Sequence, residues 1–228
     1  MIVILHGDNE ALIHTEFVKY LDQARKDGKD IVRLDAKKVE ISNLETAAGT
    51  DALFSLGKLV CIDGLFSLPK SKRKDGLIAW IREHDGADIT FLLIEKKALT
   101  VPQLKSFPDA KATIFKYPAV LFQWLETIGT TSPARSLALF HAVLEREEAE
   151  VCFVMLIRQI RTLLAFVADG SYDGAPFLRQ KIASQARHFS KDKLLALHGK
   201  LIELDEAQKK SRNVLSLSAC LDLILVEL

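Results

Sequence analysis

Strand-forming runs occur only in the first half of this chain, and helix-forming runs separate them. Residues 2–5 (IVIL) form a continuous apolar run, as a strand buried on both faces requires. Residues 9–26 carry Leu12, Ile13, Phe17, Tyr20 and Leu21 on one side of a helix, which Gly28 ends. Further strands are predicted at 31–34, 59–62, 89–94 and 113–115, with a helix around 77–82. Strand and helix in alternation require crossover connections and a parallel sheet. After Pro118 the strands stop. Residues 119–128 read as a helix, and Ser132 followed by Pro133 is a start signal for the next. Strongly apolar residues 151–168 end at Gly170, 176–187 form another helix, Ser190 caps one reaching about residue 210, and 214–228 close the chain. The apolar character of that last segment on most sides predicts a helix buried among its neighbours. The sequence thus predicts an α/β parallel-sheet domain over 1–116 and an all-α domain of about six helices over 117–228.

The totals exclude several classes. Net charge is +1, evenly distributed, so neither half is a basic module with a general attraction for nucleic acid or anionic lipid. Cys61, Cys152 and Cys220 lie far apart in apolar runs with no C-x-x-C, which reads as buried free thiols in a reducing compartment. The first residues lack the basic region of a signal peptide, and no uninterrupted apolar run is long enough to span a bilayer. The expectation is a cytoplasmic protein with no membrane partner.

The opening "MIVILHGDNEALIHTEF" has the strand–glycine–helix order of a phosphate-binding loop. Such a loop needs G-x-x-x-x-G-K-[ST], where backbone N–H groups and the lysine hold phosphates and the hydroxyl holds magnesium. Counted from Gly7, the last three positions hold Leu12, Ile13 and His14. Asp8 and Glu10 add negative charge where phosphates would lie. The later acidic position offers Asp63, followed by Gly64, which reads as a turn residue at a strand end. No nucleotide cofactor is expected here.

Three segments of the first half, "HGDNEALIHTEF", "DALFSLGKLVCIDGLF" and "ITFLLIEKKAL", resemble in order and spacing the first domain of the delta subunit of the bacterial DNA polymerase III clamp loader. In the second half, "LIRQIRTLLAF", "QARHFSKDKLLALHGKLIELDEAQKKS" and "LSLSACLDLILVEL" are similar to that subunit's C-terminal collar. The resemblance implies an AAA+-like domain with a degenerate phosphate loop followed by a helical collar. It also implies a non-catalytic role: gripping the sliding clamp, helping to hold it open, and joining ATPase gamma/tau-type and delta-prime-type subunits through the collar. The chain departs from the family in one respect. Its fifth strand runs straight into "YPAVLFQWLETIG", similar to the start of the collar, without the small helical lid between them.

The family resemblance assigns clamp binding to Leu53 and Phe54, an adjacent apolar pair before the third strand, with Leu56 in support. Read without it, the pair is a helix turn packed into the core. "PKSKRKDG" holds the one dense basic run, with Lys70, Lys72, Arg73 and Lys74 as candidate contacts to DNA phosphates; a solvated loop is the alternative. Arg158 and Arg161, on one face of an apolar helix, are either collar contacts to a neighbouring subunit or internal partners of Glu203 or Asp205. Trp80 and Trp124 read as core. No zinc-protease or hydrolase motif and no metal spacing appears, so neither a metal nor a catalytic residue is expected. Two other functions remain open: a divergent nucleotide-dependent enzyme, and an adaptor that reuses the delta scaffold for another partner.

Overall fold

A computed structural model describes residues 1–49, 56–86, 88–212 and 214–228. They divide into two units, Met1–Tyr117 and Pro118–Leu228.

The first unit is the expected α/β layer structure. In chain order it contains β1 (Ile2–Gly7), α1 (Glu10–Lys26), β2 (Asp30–Asp35), α2 (Ile41–Gly49), β3 (Lys58–Asp63), α3 (Lys72–Glu83), β4 (Ile89–Glu95), α4 (Val101–Leu104) and β5 (Lys111–Phe115). Among the described residues the sheet has five strands in the order β2-β3-β4-β1-β5, with every pairing parallel. Side chains alternate between faces with period two. Val3 and Leu5 of β1, Leu59 and Cys61 of β3 and Leu92 of β4 face α1, which buries Ile13, Phe17 and Ala24 against them. Ile2, Ile4, Val60, Ile62, Phe91 and Leu93 face the other way, onto Leu44 and Ala47 of α2, Leu77, Trp80 and Ile81 of α3, and Phe107. The two layers follow from crossover handedness. The connection from β1 to β2 runs in one direction across the sheet and the later ones run in the other, so right-handed crossovers place them on opposite faces.

The second unit is all helix. It contains α5 (Ala119–Thr127), α6 (Pro133–Leu144), α7 (Ala149–Asp169), α8 (Pro176–Ala186), α9 (Lys191–Lys209) and α10 (Leu217–Val226). The central helix, α7, touches all five others and buries Cys152, Phe153, Leu156, Ile160 and Leu163. Among the described residues α7 alone is long and apolar enough, by length and composition, to cross a membrane. Here it serves as the bundle's core helix, its apolar run broken by Arg158 and Arg161. Gln185 is buried and closes the end of α5. Its amide donates to the carbonyls of Leu125 (2.8 Å) and Ile128 (3.0 Å), while its oxygen accepts from Gln159 (2.6 Å). Carbonyls left open at a helix end thus find partners inside the bundle.

The structure departs from sequence expectation in three places. Helices α2 and α4 were not predicted. The last helix is shorter than 214–228: Ser216 caps it, accepting from the Ala219 N–H at 3.3 Å. It is also buried on one side only. Leu217, Leu221 and Leu225 face inward, while Leu223 and Val226 are each 57% exposed.

Candidate functional site

In an open parallel sheet, ligands bind beyond the carboxyl ends of the strands, where successive connections diverge to opposite faces. Here that point lies between β1 and β4, so the β1–α1 turn is where a phosphate would sit. The turn is closed by the chain itself. Only Asp8 and Asn9 separate strand from helix. Asn9 is fully buried; its N–H donates to the Phe115 carbonyl (3.2 Å) and its side-chain oxygen accepts from the Leu12 N–H (3.1 Å). The Glu10 N–H donates to the Asp8 carbonyl at 3.1 Å. One Asp8 carboxylate oxygen accepts from the Tyr117 N–H (3.2 Å), and Glu10 pairs with Lys96 (2.7 Å). Gly7 has φ +144°, and a Cβ there would lie 1.8 Å from the Phe115 carbonyl oxygen, so the strand end is pressed against β5. Leu12, Ile13 and His14 already lie within α1, Ile13 against the sheet and the other two exposed. The N–H groups of Asn9, Glu10 and Leu12 are thus engaged internally, and two carboxylates stand at the positive end of the helix.

The other polar groups at this edge are tied down as well. His6 is buried, and its Nδ1 accepts from the Leu99 N–H at 3.0 Å. Burial, and secondarily the charge of Lys116, holds its pKa below the ordinary histidine value. Asp63, at the end of β3, takes a hydrogen bond from Arg33 (2.8 Å), and Gly64 follows with φ +77°. Asp63 thus ends its strand before the Gly64 turn, as expected, but its carboxylate serves an ion pair with Arg33 of β2 rather than the turn. Glu95 is buried; it accepts from the Phe66 N–H (2.6 Å) and the Ser67 hydroxyl (3.0 Å). Burial raises its pKa, against the opposing effect of those bonds and of nearby Lys74. The Cys61 thiol is pushed up to about 12, mainly by burial. Among the described residues no cluster of three or more His, Cys, Asp or Glu could hold a metal ion.

Leu53 and Phe54 lie outside the described residues. Leu56 is 81% exposed, with its N–H donating to the Gly28 carbonyl at 3.1 Å. The basic run is split by the start of α3, whose N-cap is Ser71. Lys70 and Lys72 are exposed. Arg73 turns back to the Ala36 carbonyl (2.9 Å), the Val39 carbonyl and Glu40 (3.0 Å). Lys74 is buried, its ammonium donating to the carbonyls of Phe66 (2.7 Å) and Leu68 (2.8 Å). The sequence reading missed this role, although a signal existed. A lysine in the first turn of a helix opposes the dipole, and Lys74 shares the i, i+3, i+7 face of Leu77 and Ile81.

Arg158 and Arg161 are exposed, and among the described residues neither pairs with an acid. The internal role with Glu203 or Asp205 is therefore not met: Asp205 pairs with Lys209 (2.7 Å). Arg161 instead lines a groove of about 330 Å³ with Ile157, His198, Leu201, Ile202 and Asp205. Trp80 and Trp124 are core, at 9% and 0% exposure. Cys61 and Cys152 are buried free thiols, whereas Cys220 is only partly buried.

No family model matches this chain, and no curated protein does. Among solved structures it is similar to the Bacillus subtilis DNA clamp loader delta protein (YqeN), with 15% identity and a TM-score of 0.49 over 99% of this chain and 94% of that one. It is also similar to a chain in a structure of Drosophila ORC bound to DNA, with 10% identity and a TM-score of 0.38 over 90% of this chain and 62% of that one. At these values neither likeness carries a functional conclusion.

Proposed function

We propose that this chain is a delta-type, non-hydrolysing subunit of a bacterial DNA polymerase III clamp loader, acting in the cytoplasm during replication. Its first unit is the AAA+-like domain that grips the sliding clamp. Its second is the collar that joins gamma/tau-type and delta-prime-type ATPase subunits. The observation that carries the reading is the sealed β1–α1 turn. It keeps the strand–glycine–helix order of an ATPase, while Asn9, Asp8 and Glu10 occupy the phosphate position. The co-linear delta-like segments of both halves supply the family. Clamp binding is assigned to Leu53 and Phe54, with Leu56 beside them exposed in the free chain. Of the basic run, Lys70 and Lys72 are the residues available to DNA.

Surface plasmon resonance against the sliding clamp tests this. Burying a leucine and a phenylalanine contributes roughly 1.5–3 kcal/mol each. Leu53→Ala with Phe54→Ala should therefore weaken clamp binding at least about 100-fold and leave the circular dichroism spectrum unchanged. Equal affinity in the double variant removes the site. Wild-type protein that ignores the clamp but binds ATP in a calorimetric titration overturns the function in favour of a nucleotide-dependent enzyme.

A further inference from the structure

The solvent face of α7 carries an ordered pattern that neither clamp binding nor ATPase descent requires. Glu150, Val154 and Arg158 follow one another at intervals of four, so they form one ridge on the helix surface. All three are exposed, Val154 at 61%. Exposed Arg161 extends the basic end of the ridge. Half-buried Ile157 borders it, and Ile202 of α9, also exposed, lines the same groove as Ile157 and Arg161. The face thus runs from acid through an apolar centre to base.

These charges find no partner within the chain. Among the described residues the side chains of Glu150, Arg158 and Arg161 have no ion pair. Helix α9 shows the ordinary arrangement in the same bundle: Asp205 pairs with Lys209 at 2.7 Å and Glu206 with Lys210, each four positions on. On α7 the position four beyond Glu150 holds Val154 instead. Glu150 and Arg158 are therefore about 12 Å apart along the axis, at about 1.5 Å per residue, too far to meet. An antiparallel copy of the same ridge closes the gap. When Val154 lies opposite the partner's Val154, Glu150 of each protomer falls beside Arg158 of the partner subunit. The match is isologous, as a twofold dimer requires. Two i, i+4 ridges align when helices cross at about −50°, the commonest class of helix packing.

We propose that the free chain self-associates through this face as an antiparallel twofold homodimer, with Val154 on the axis and a Glu150–Arg158 ion pair on either side. A second copy is the occupant because the pattern is its own complement: acid meets base at both ends and valine meets valine at the centre. A partner helix of one charge would satisfy only one end. Val154, Ile157 and Ile202 supply apolar contact. Exposed ion pairs add little affinity, and they fix direction and register. A single helix face makes a small interface, so the dimer belongs to the weak, transient class. It uses none of the residues assigned to the clamp.

Sedimentation equilibrium of the full chain across a range of micromolar concentrations at low salt tests the proposal. The wild-type protein should pass from monomer to dimer as concentration rises. Arg158→Glu sets like charges against each other on both sides of the axis, and should raise the dissociation constant at least about 10-fold; Glu150→Arg should do the same. Combining Glu150→Arg with Arg158→Glu should restore the wild-type value, because each acid again meets a base. In a Cys220→Ser background, Val154→Cys should give a disulfide-linked dimer on mild oxidation with copper phenanthroline, since a residue on the axis meets its own copy; Cys220→Ser alone should not. All these α7 positions are exposed, so circular dichroism spectra should be unchanged. A monomer at every concentration overturns the proposal, as does a dimer that Arg158→Glu leaves at full strength or that the charge swap fails to restore. Surface plasmon resonance against the sliding clamp reads the proposed function separately: the α7 variants must retain clamp binding, and Leu53→Ala with Phe54→Ala must retain the dimer.

Discussion

Lys72 and Lys74 sit two positions apart in one basic run, and the fold gives them opposite surroundings. Lys72→Ala removes an exposed side chain and should change stability by no more than about 0.5 kcal/mol. Lys74→Ala removes a buried ammonium that holds two carbonyls, at 2.7 and 2.8 Å, and lies near the buried Glu95 carboxylate. An unmet buried carbonyl costs about 1–3 kcal/mol, and Lys74 holds two of them. The expected loss is therefore about 2–6 kcal/mol, a large share of the stability of a typical domain. Urea unfolding at pH 7, followed by far-ultraviolet circular dichroism and by Trp80 emission in a Trp124→Phe background, measures it. With a slope of about 2 kcal/mol per molar, the first unit's midpoint should fall by roughly 1–3 M. A Lys74→Ala midpoint equal to that of Lys72→Ala would refute the internal role. Combining Lys74→Met with Glu95→Gln should recover part of the loss, because the two charges are then removed together.

Two other outcomes are expected. The buried Glu95 has a folded pKa above its unfolded value, so the folded state holds the proton more tightly. Stability should fall as pH rises from the ordinary carboxylate range through the raised folded value, and urea midpoints of Glu95→Gln should lose that component of the pH dependence. Burial pushes the thiols of Cys61 and Cys152 up to about 12, while Cys220 is partly exposed. Iodoacetamide labelling followed by mass spectrometry should modify Cys220 first in the native protein and all three cysteines in guanidinium chloride.

Much of the fold was legible because its signals are local. The apolar runs of β1 and β4 are long and uninterrupted, and Asn9 and Ser190 stand where caps were needed. The side chain of Asn9 accepts from the Leu12 N–H, and that of Ser190 from the Lys193 N–H at 3.1 Å. α2 escaped notice because it is nine residues long and rests on Leu44 and Ala47. α4 has four residues and buries none of them. Lys74 looked like its neighbours because its partners are backbone carbonyls, which leave no mark in a sequence. The failed phosphate loop was readable in Leu12, Ile13 and His14. Its closure was not, since that depends on Phe115 and Tyr117 arriving beside Gly7 from more than a hundred positions away.

The position of β1 has a consequence for how the chain matures. This strand is made before the rest of its unit, yet its hydrogen-bonding neighbours are among the latest of that unit: Ile2 pairs with Phe91, and Val3 with Lys111. Closing such long loops is slow, because their entropy must be lost before the contacts repay it. An apolar nascent segment must therefore wait through most of the unit's synthesis, vulnerable to mispairing and a natural client for chaperones. In the later helical unit α5 meets α6, and α7 meets α8, soon after they emerge, while α9 and α10 dock back onto α7 and α6.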